Sequence, residues 1–467
     1  MRIFTPSSLL TSSKGPYGRN GSWASTRPPK GASGSALRGY VVAGCRLLVL
    51  LPALAATAAR ADDVARLKAA PSTPADAASR DGVAALQEGR LAAAEEDFNK
   101  SLRLDPNHLG ALLGLAEVSM RKTDYKAAGL YLKRASAVAP ANAEVEMSWG
   151  HYLFFQKRYA EAEAALKKAA ELDLLTGKPQ IELGDLYLVG MHKPQEAIKA
   201  YQDGLAKAPA NAKGHYGLAN ALTQVGSFSQ AESQFQDAAR LDPKNPVMYE
   251  ALGVFYVSQH QFDRALDAYS KALAVQPKFL AAYVARGDIF LEQGHADKAL
   301  AEYEAALKVS PKFADAYTKM GAAYERKSQI DEAERAYRSA IQLDKRQAGA
   351  YNELAWLAAN RKSNLDEALT WAERAVQLNP GSANFQDTLG WVYRARGEAD
   401  KAISVLQKAG QSKPPNPEIF YHLGVVYAEN GHNREAREYL ARALASNRDF
   451  DGSKDAKARL ASLGSPN

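Results

Sequence analysis

Cysteine is almost missing from this chain, with Cys45 the single one in 467 residues. No disulfide framework can form within it, and a mature chain that begins beyond residue 45 has no thiol for catalysis or thiolate metal binding. Catalytic and nucleotide motifs are missing too. The eight histidines are dispersed (His108, His151, His192, His215, His260, His295, His422, His432), and none sits in a His-Glu-x-x-His frame. There is no Gly-x-x-x-x-Gly-Lys-Ser/Thr phosphate loop, no Gly-x-Ser-x-Gly nucleophile turn and no strand-rich region to carry either. Acidic residues are absent from one stretch: residues 1–61 hold eight of the 59 basic side chains and no Asp or Glu, leaving 51 basic against 52 acidic beyond it. The formal charge of +7 therefore belongs to the N-terminal segment. The remainder has no net attraction for a phosphate backbone, so no nucleic-acid partner is expected.

The basic segment leads into an apolar run, Leu47–Leu51 followed by Pro52–Ala59, flanked by Arg46 and Arg60 and closed by Ala59-Arg60-Ala61 before Asp62 and Asp63. A basic start, a short apolar core and small residues at the −3 and −1 positions predict a signal peptide cleaved after Ala61. The run falls short of the roughly 20 residues a spanning helix needs, so membrane contact is expected only if this segment stays uncleaved. Residues 1–40 are rich in Ser, Gly, Pro and Arg, which leaves two readings: a downstream translation start, or the first half of a two-part import presequence. Val42-Ala43-Gly44-Cys45 resembles a lipoprotein cleavage box, but the apolar run follows Cys45 instead of preceding it, which argues against lipidation there. The expected layout is an N-terminal extension with signal peptide (1–61), a linker (62–74), a repeat region (75–450), and a short capping helix and tail (451–467).

The repeat emerges when the chain is aligned with itself at a spacing of 34 residues, which yields eleven consecutive repeats from Ala75 to Phe450. Position 8 is small throughout: Gly82, Ala116, Gly150, Gly184, Ala219, Gly253, Gly287, Gly321, Ala355, Gly390 and Gly424. Position 20 is stricter, with Ala94, Ala128, Ala162, Ala197, Ala231, Ala265, Ala299, Ala333, Ala368, Ala402 and Ala436. Larger apolar residues recur at positions 4, 7, 11 and 24, as in Tyr249, Leu252, Tyr256 and Tyr269. Positions 4, 7, 8 and 11 share one face of a helix, as do 20, 24 and 27, so each repeat is a helical hairpin with a turn between. Pro follows the second helix in eight repeats, from Pro106 to Pro414, and cannot continue it. Two repeats have 35 residues, and the extra residue is expected in the turn between their helices. A single hairpin cannot bury its apolar face, so the array is expected to stack as one continuous all-α domain, an α-solenoid.

This pattern resembles the tetratricopeptide repeat (TPR), whose consensus has Leu-Gly at 7 and 8, Tyr at 11, Ala at 20 and 27, Phe or Tyr at 24 and Pro at 32. The resemblance covers residues 75–450, with Leu174, Lys345 and Arg448 in place of the closing proline. It implies a right-handed superhelix whose first helices line a concave groove. It also implies that positions 2, 5, 6, 9, 12 and 13 of those helices meet the partner. Here these positions place His151, Phe154 and Phe155 in the third repeat, Lys178 and Asp185 in the fourth, and Tyr216 and Asn220 in the fifth. Further along come Asn352 and Trp356, then Asp387, Trp391 and Arg394, then Tyr421 and His422. Trp356 and Trp391 hold position 9 of successive repeats, one helical turn after Asn352 and Asp387, and are expected to form one aromatic and polar cluster. The competing reading has both tryptophans tucked against the neighbouring helix.

The Lys/Asn set with which some family members grip a peptide carboxylate is not present; Lys213 and Asn220 are its nearest fragments. Paired carboxylates such as Glu95-Glu96 and Asp331-Glu332 lie on the polar side of second helices, and most tyrosines occupy packing positions. The protein is therefore expected not to be an enzyme, to carry no cofactor or metal, and to bind protein or peptide partners. An exported scaffold of the bacterial periplasm or envelope is the first expectation, by analogy with secretion, polysaccharide export or pilus assembly. An intracellular or organellar adaptor with an import presequence is the second.

Overall fold

The computed structural model describes residues 73–445, 450 and 452–464. The N-terminal apolar run, Cys45 and the junction after Ala61 lie outside the described residues. Every described repeat is a pair of helices, typified by the sixth, Pro246–Ser258 and Phe262–Val275. Among the described residues there are 23 α-helices in tandem and no strand. Five of the first helices begin where a short polar side chain at the end of the preceding repeat caps them. Asn142, Asn211, Asn245, Ser382 and Asn416 each accept a hydrogen bond from a free backbone N–H of the first turn.

The described chain falls into two compact parts, up to Val275 and from Gln276 onward. The division coincides with a repeat boundary: the first part holds repeats one to six, the second repeats seven to eleven and the terminal helix. In a stacked array each repeat contacts only its neighbours, so compactness need not extend along the whole chain. The terminal helix, Ser453–Ser462, packs on the second helix of the eleventh repeat, buries Ala456 and receives Arg437 at the carbonyl of Leu463 (2.8 Å).

Position 15, in the turn between the two helices, is left-handed in all eleven repeats. Glycine supplies this in five (Gly89, Gly226, Gly294, Gly397, Gly431). Thr123, Lys157, His192, His260, Ser328 and Lys362 are held there without glycine's freedom. The extra residue of the fourth repeat is not in this turn, where the sequence places it. It is absorbed in the first helix, which runs from Lys178 to Asp185 and then widens into a π-helical turn, Leu186–Gly190. The ninth repeat takes its extra residue as a first helix lengthened to Arg361, and adds a second left-handed residue, Asn364.

Small residues at position 8 have a specific counterpart. Where position 8 is glycine, the large side chain at position 24 of the same repeat lies directly over it, and all four tyrosines at position 24 (Tyr201, Tyr269, Tyr303, Tyr337) face glycine. A Cβ on Gly184 would sit 2.6 Å from the Tyr201 ring, and that ring is pinned by its hydroxyl donating to Asp185 at 2.5 Å. Gly184→Ala is therefore expected to lower stability by about 1–3 kcal/mol through overpacking. Equilibrium urea denaturation of the two proteins side by side is the measurement; equal midpoints would show that the ring can yield.

Candidate functional site

The side chains that the family pattern assigns to partner contact gather into two clusters, one in each compact part. In the second part, position 9 of the ninth repeat and of the tenth carry Trp356 and Trp391. Their rings stack at 5.9 Å between centroids with planes 22° apart. His422 closes against both, 4.3 Å from Trp391 and 5.5 Å from Trp356. Its Nδ1 is 2.7 Å from Oδ1 of Asp387, a carboxylate with no solvent exposure. The Trp391 indole N–H donates to Asn360 Oδ1 at 2.9 Å, and the Arg394 guanidinium lies 4.1 Å over the Trp391 ring while bonding Glu429 through Nε at 2.7 Å. Tyr421 packs on His422 at 5.4 Å with the rings tilted by 47°, and donates to Asp455 of the terminal helix at 2.9 Å.

Burial separates these residues into a base and a surface. Asn352, Asp387, Trp391 and His422 are buried, whereas Trp356, Arg394 and Tyr421 are only partly so. Trp391 is 8% exposed, so its truncation removes core and not an isolated contact. The tucked reading holds for this indole. Asn352 donates from Nδ2 to Glu353 at 3.1 Å, while its amide oxygen, buried, has no donor among the described residues. An acceptor in that condition costs about 1–3 kcal/mol unless a donor reaches it.

The first part holds a charge cluster. His151 Nε2 lies 2.9 Å from Glu182, and the Lys213 ammonium bridges Glu182 (2.6 Å) and Asp185 (2.8 Å), which also accepts the Tyr201 hydroxyl. Burial works against charge on Lys213 and His151, yet the carboxylates beside them win and hold both above their ordinary values. Burial likewise opposes ionisation of Glu182, but Lys213 and His151 drive it well below the carboxylate range. Asp185, pushed up first by burial and then by the neighbouring Glu182 charge, moves the other way despite Lys213. Asp185 and His151 are thus engaged within the protein. Tyr216 lies edge-on to Phe235 at 6.1 Å, and Asn220 donates to the Tyr216 carbonyl at 2.9 Å. Phe154 packs on Phe155 and Tyr159.

Sequence reasoning named one member of several pairs and missed the other: Glu182 beside His151, Asn360 beside Trp391, Glu429 beside Arg394; Lys213 was named, but not its pairing with Glu182 and Asp185. A signal existed. Contacts between successive first helices recur at an offset of 31 residues: His151 to Glu182, Glu182 to Lys213, Asp288 to Lys319, Asn360 to Trp391, and Trp391 to His422. That is one repeat less about one helical turn, because a side chain on one helix meets the neighbouring helix a turn earlier. Among the described residues no group of three or more His, Cys, Asp or Glu could hold a metal, and no helix is long and apolar enough to cross a membrane.

Helical hairpins following one another in tandem define an α-solenoid repeat protein. Two family models described as tetratricopeptide repeat match residues 85–149 with 188–254, and 149–174. The model of the cilia and flagella-associated protein 70 C-terminal domain matches residues 245–463. The chain belongs to the tetratricopeptide-repeat family. It is 31% identical over 126 residues to the type IV pilus assembly protein PilF of Pseudomonas aeruginosa, covering 27% of this chain and 50% of that one. It is 28% identical over 170 residues to the BBSome complex member BBS4 of Bos taurus, 36% of this chain and 32% of that one. It is 28% identical over 173 residues to cellulose synthase 1 operon protein C of Komagataeibacter xylinus, 34% of this chain and 13% of that one. The chain thus spans half or less of the length of these relatives. Among solved structures it is similar to the APC/C hetero-tetramer Cut9–Hcn1 (15% identity, 87% of this chain and 99% of that one, TM-score 0.45) and to MamA (26%, 37% and 94%, TM-score 0.33).

Proposed function

We propose that this protein is a non-catalytic scaffold that holds a protein or peptide partner on the first helices of its repeats, with repeats nine to eleven as the anchor. The observation that carries this is the division of that cluster into a fixed base and a partly exposed surface. Trp391, His422 and Asp387 lock one another in place, so Trp356, Arg394 and Tyr421 stand on a rigid support and lose little freedom on binding. Aromatic and arginine side chains in that condition are the types that dominate binding energy.

The scaffold is exported and works in the bacterial envelope on this reading. The signal-peptide pattern ending at Ala61 and the similarity to a pilus assembly protein and a cellulose synthase operon protein support it. Similarity to a BBSome member and to a cilia and flagella-associated domain supports the second reading, an intracellular adaptor with an import presequence. Affinity capture of the C-terminally tagged full-length protein from its native cells, with mass spectrometry of its own N-terminus, separates them. A mature start at Asp62 with envelope partners is expected. An intact N-terminus with cytosolic partners overturns export. In the same experiment Trp356→Ala and Arg394→Ala should each reduce captured partner by about tenfold or more, the effect of a residue that anchors a binding site. Partner recovered undiminished from both variants would remove this surface from consideration.

A further inference from the structure

On the second-helix side of the repeats, away from the first-helix surface, position 21 carries a glutamate in four repeats: Glu95, Glu163, Glu232 and Glu334. Each is ion-paired in the structure, Glu95 with Lys122, Glu163 with Lys167 (2.7 Å), Glu232 with Arg264 and Glu334 with Arg338 (2.7 Å). Glu163 and Glu232 also accept from a tyrosine hydroxyl of the following repeat's first helix, Tyr187 at 2.9 Å and Tyr256 at 3.3 Å. In most other repeats the position is Ile or Leu, and in the last it is Arg437. Only the second repeat has a residue without a side chain there, Gly129.

A cation and a tyrosine hydroxyl nevertheless stand near Gly129, the tyrosine one position earlier in its repeat than Tyr187 and Tyr256. Lys133 stands four residues on, the position from which Lys167 and Arg338 pair with their glutamates, yet Lys133 is exposed and has no carboxylate partner among the described residues. A Cβ built on Gly129 would come 2.9 Å from the Tyr152 hydroxyl, which makes no hydrogen bond among them either. Gly129 lines a cavity of about 440 Å³. Lys126, Lys133 and Arg158 give it positive charge, though Arg158 is already paired with Glu161. Its apolar wall is Leu130, 57% exposed, and Trp149, which lies edge-on to Tyr152 at 5.3 Å with its N–H fixed on Ser136 Oγ.

We propose that this cavity docks an acidic segment of a partner protein, whose Asp or Glu carboxylate takes the place that a position-21 glutamate fills in other repeats. The carboxylate meets Lys133 and the Tyr152 hydroxyl, and an apolar side chain next to it in the partner lies on Leu130 and Trp149. Charge complementarity selects an acidic segment: the cation and the hydroxyl are both present, and the carboxylate that satisfies them elsewhere is what this repeat lacks.

The test uses the full chain and fluorescence anisotropy of a labelled peptide, acetyl-Gly-Leu-Glu-Glu-Leu-Gly, beside its counterpart with glutamine for both glutamates. The acidic peptide is expected to bind at least about tenfold more tightly than the glutamine peptide. Gly129→Glu, which restores the carboxylate within the chain, and Lys133→Glu should each abolish that preference, while Trp356→Ala leaves it unchanged and so keeps this site separate from the first-helix surface. Lys133 is exposed, so its variant remains informative if Gly129→Glu does not fold. Equal binding of the two peptides, or undiminished binding to both variants, overturns the proposal. Displacement of the peptide by inorganic phosphate beyond the effect of chloride at equal ionic strength also overturns it, since the cavity would then be a general anion site.

Discussion

Trp391→Ala is expected to lower the stability of the second compact part by about 3–5 kcal/mol, the loss typical of truncating a buried tryptophan. The indole is 8% exposed, stacks on Trp356 and His422, lies under Arg394 and donates to Asn360. Removing it takes away the hydrophobic area, the ring contacts and the surface that holds the buried Asp387–His422 pair in register. Trp391→Phe separates these contributions. It keeps most of the area and the stacking but loses the indole N–H, and because Asn360 is exposed its oxygen can turn to water, so the cost should be only about 1 kcal/mol. Hydrogen exchange of repeats nine to eleven alongside urea denaturation reads both variants, since a repeat array can lose local stability without a single global transition. A loss below about 1 kcal/mol in Trp391→Ala would mean that the indole is held mainly by the partner and not by the fold.

Glu250→Gln is expected to raise stability at pH 8 by roughly 2–3 kcal/mol relative to its effect at pH 4.5. Glu250 is 5% exposed, no hydrogen bond or ion pair reaches its carboxylate among the described residues, and burial alone pushes its pKa up to about 7 from the ordinary 4.5. Between those two values the folded chain keeps a proton that the unfolded chain releases, so stability falls as the pH rises through the window. Above pH 7 both states are ionised and the loss is complete. Glutamine has nothing to titrate, and every other group titrates alike in the two proteins, so the difference between their pH–stability curves isolates Glu250. Parallel curves from pH 4 to 8 would show that the carboxylate finds a cation or water in solution.

Helical hairpins in tandem were legible because each repeat writes the same message. The small residue at 8 and the alanine at 20 recur eleven times, and a helical period repeated that often leaves no competing secondary structure. The candidate site was legible in part. Positions 5 and 9 of the ninth and tenth repeats do bring Asn352, Trp356, Asp387 and Trp391 into one neighbourhood. Which of them face outward could not be read, because position alone does not fix depth. Asp387 at position 5 is fully buried by His422 from the next repeat, while Tyr421 at the same position of the eleventh stays partly open.

Local sequence determined what each repeat is, since helix period, the small-residue notches, the capping asparagines and the closing prolines act within a few residues of one another. Tertiary structure decided what those repeats offer to a partner. Whether Trp391 is core or surface and whether Asp387 is buried or open depend on side chains about one repeat away. At that distance small differences in packing, invisible in a period of 34, select the partner.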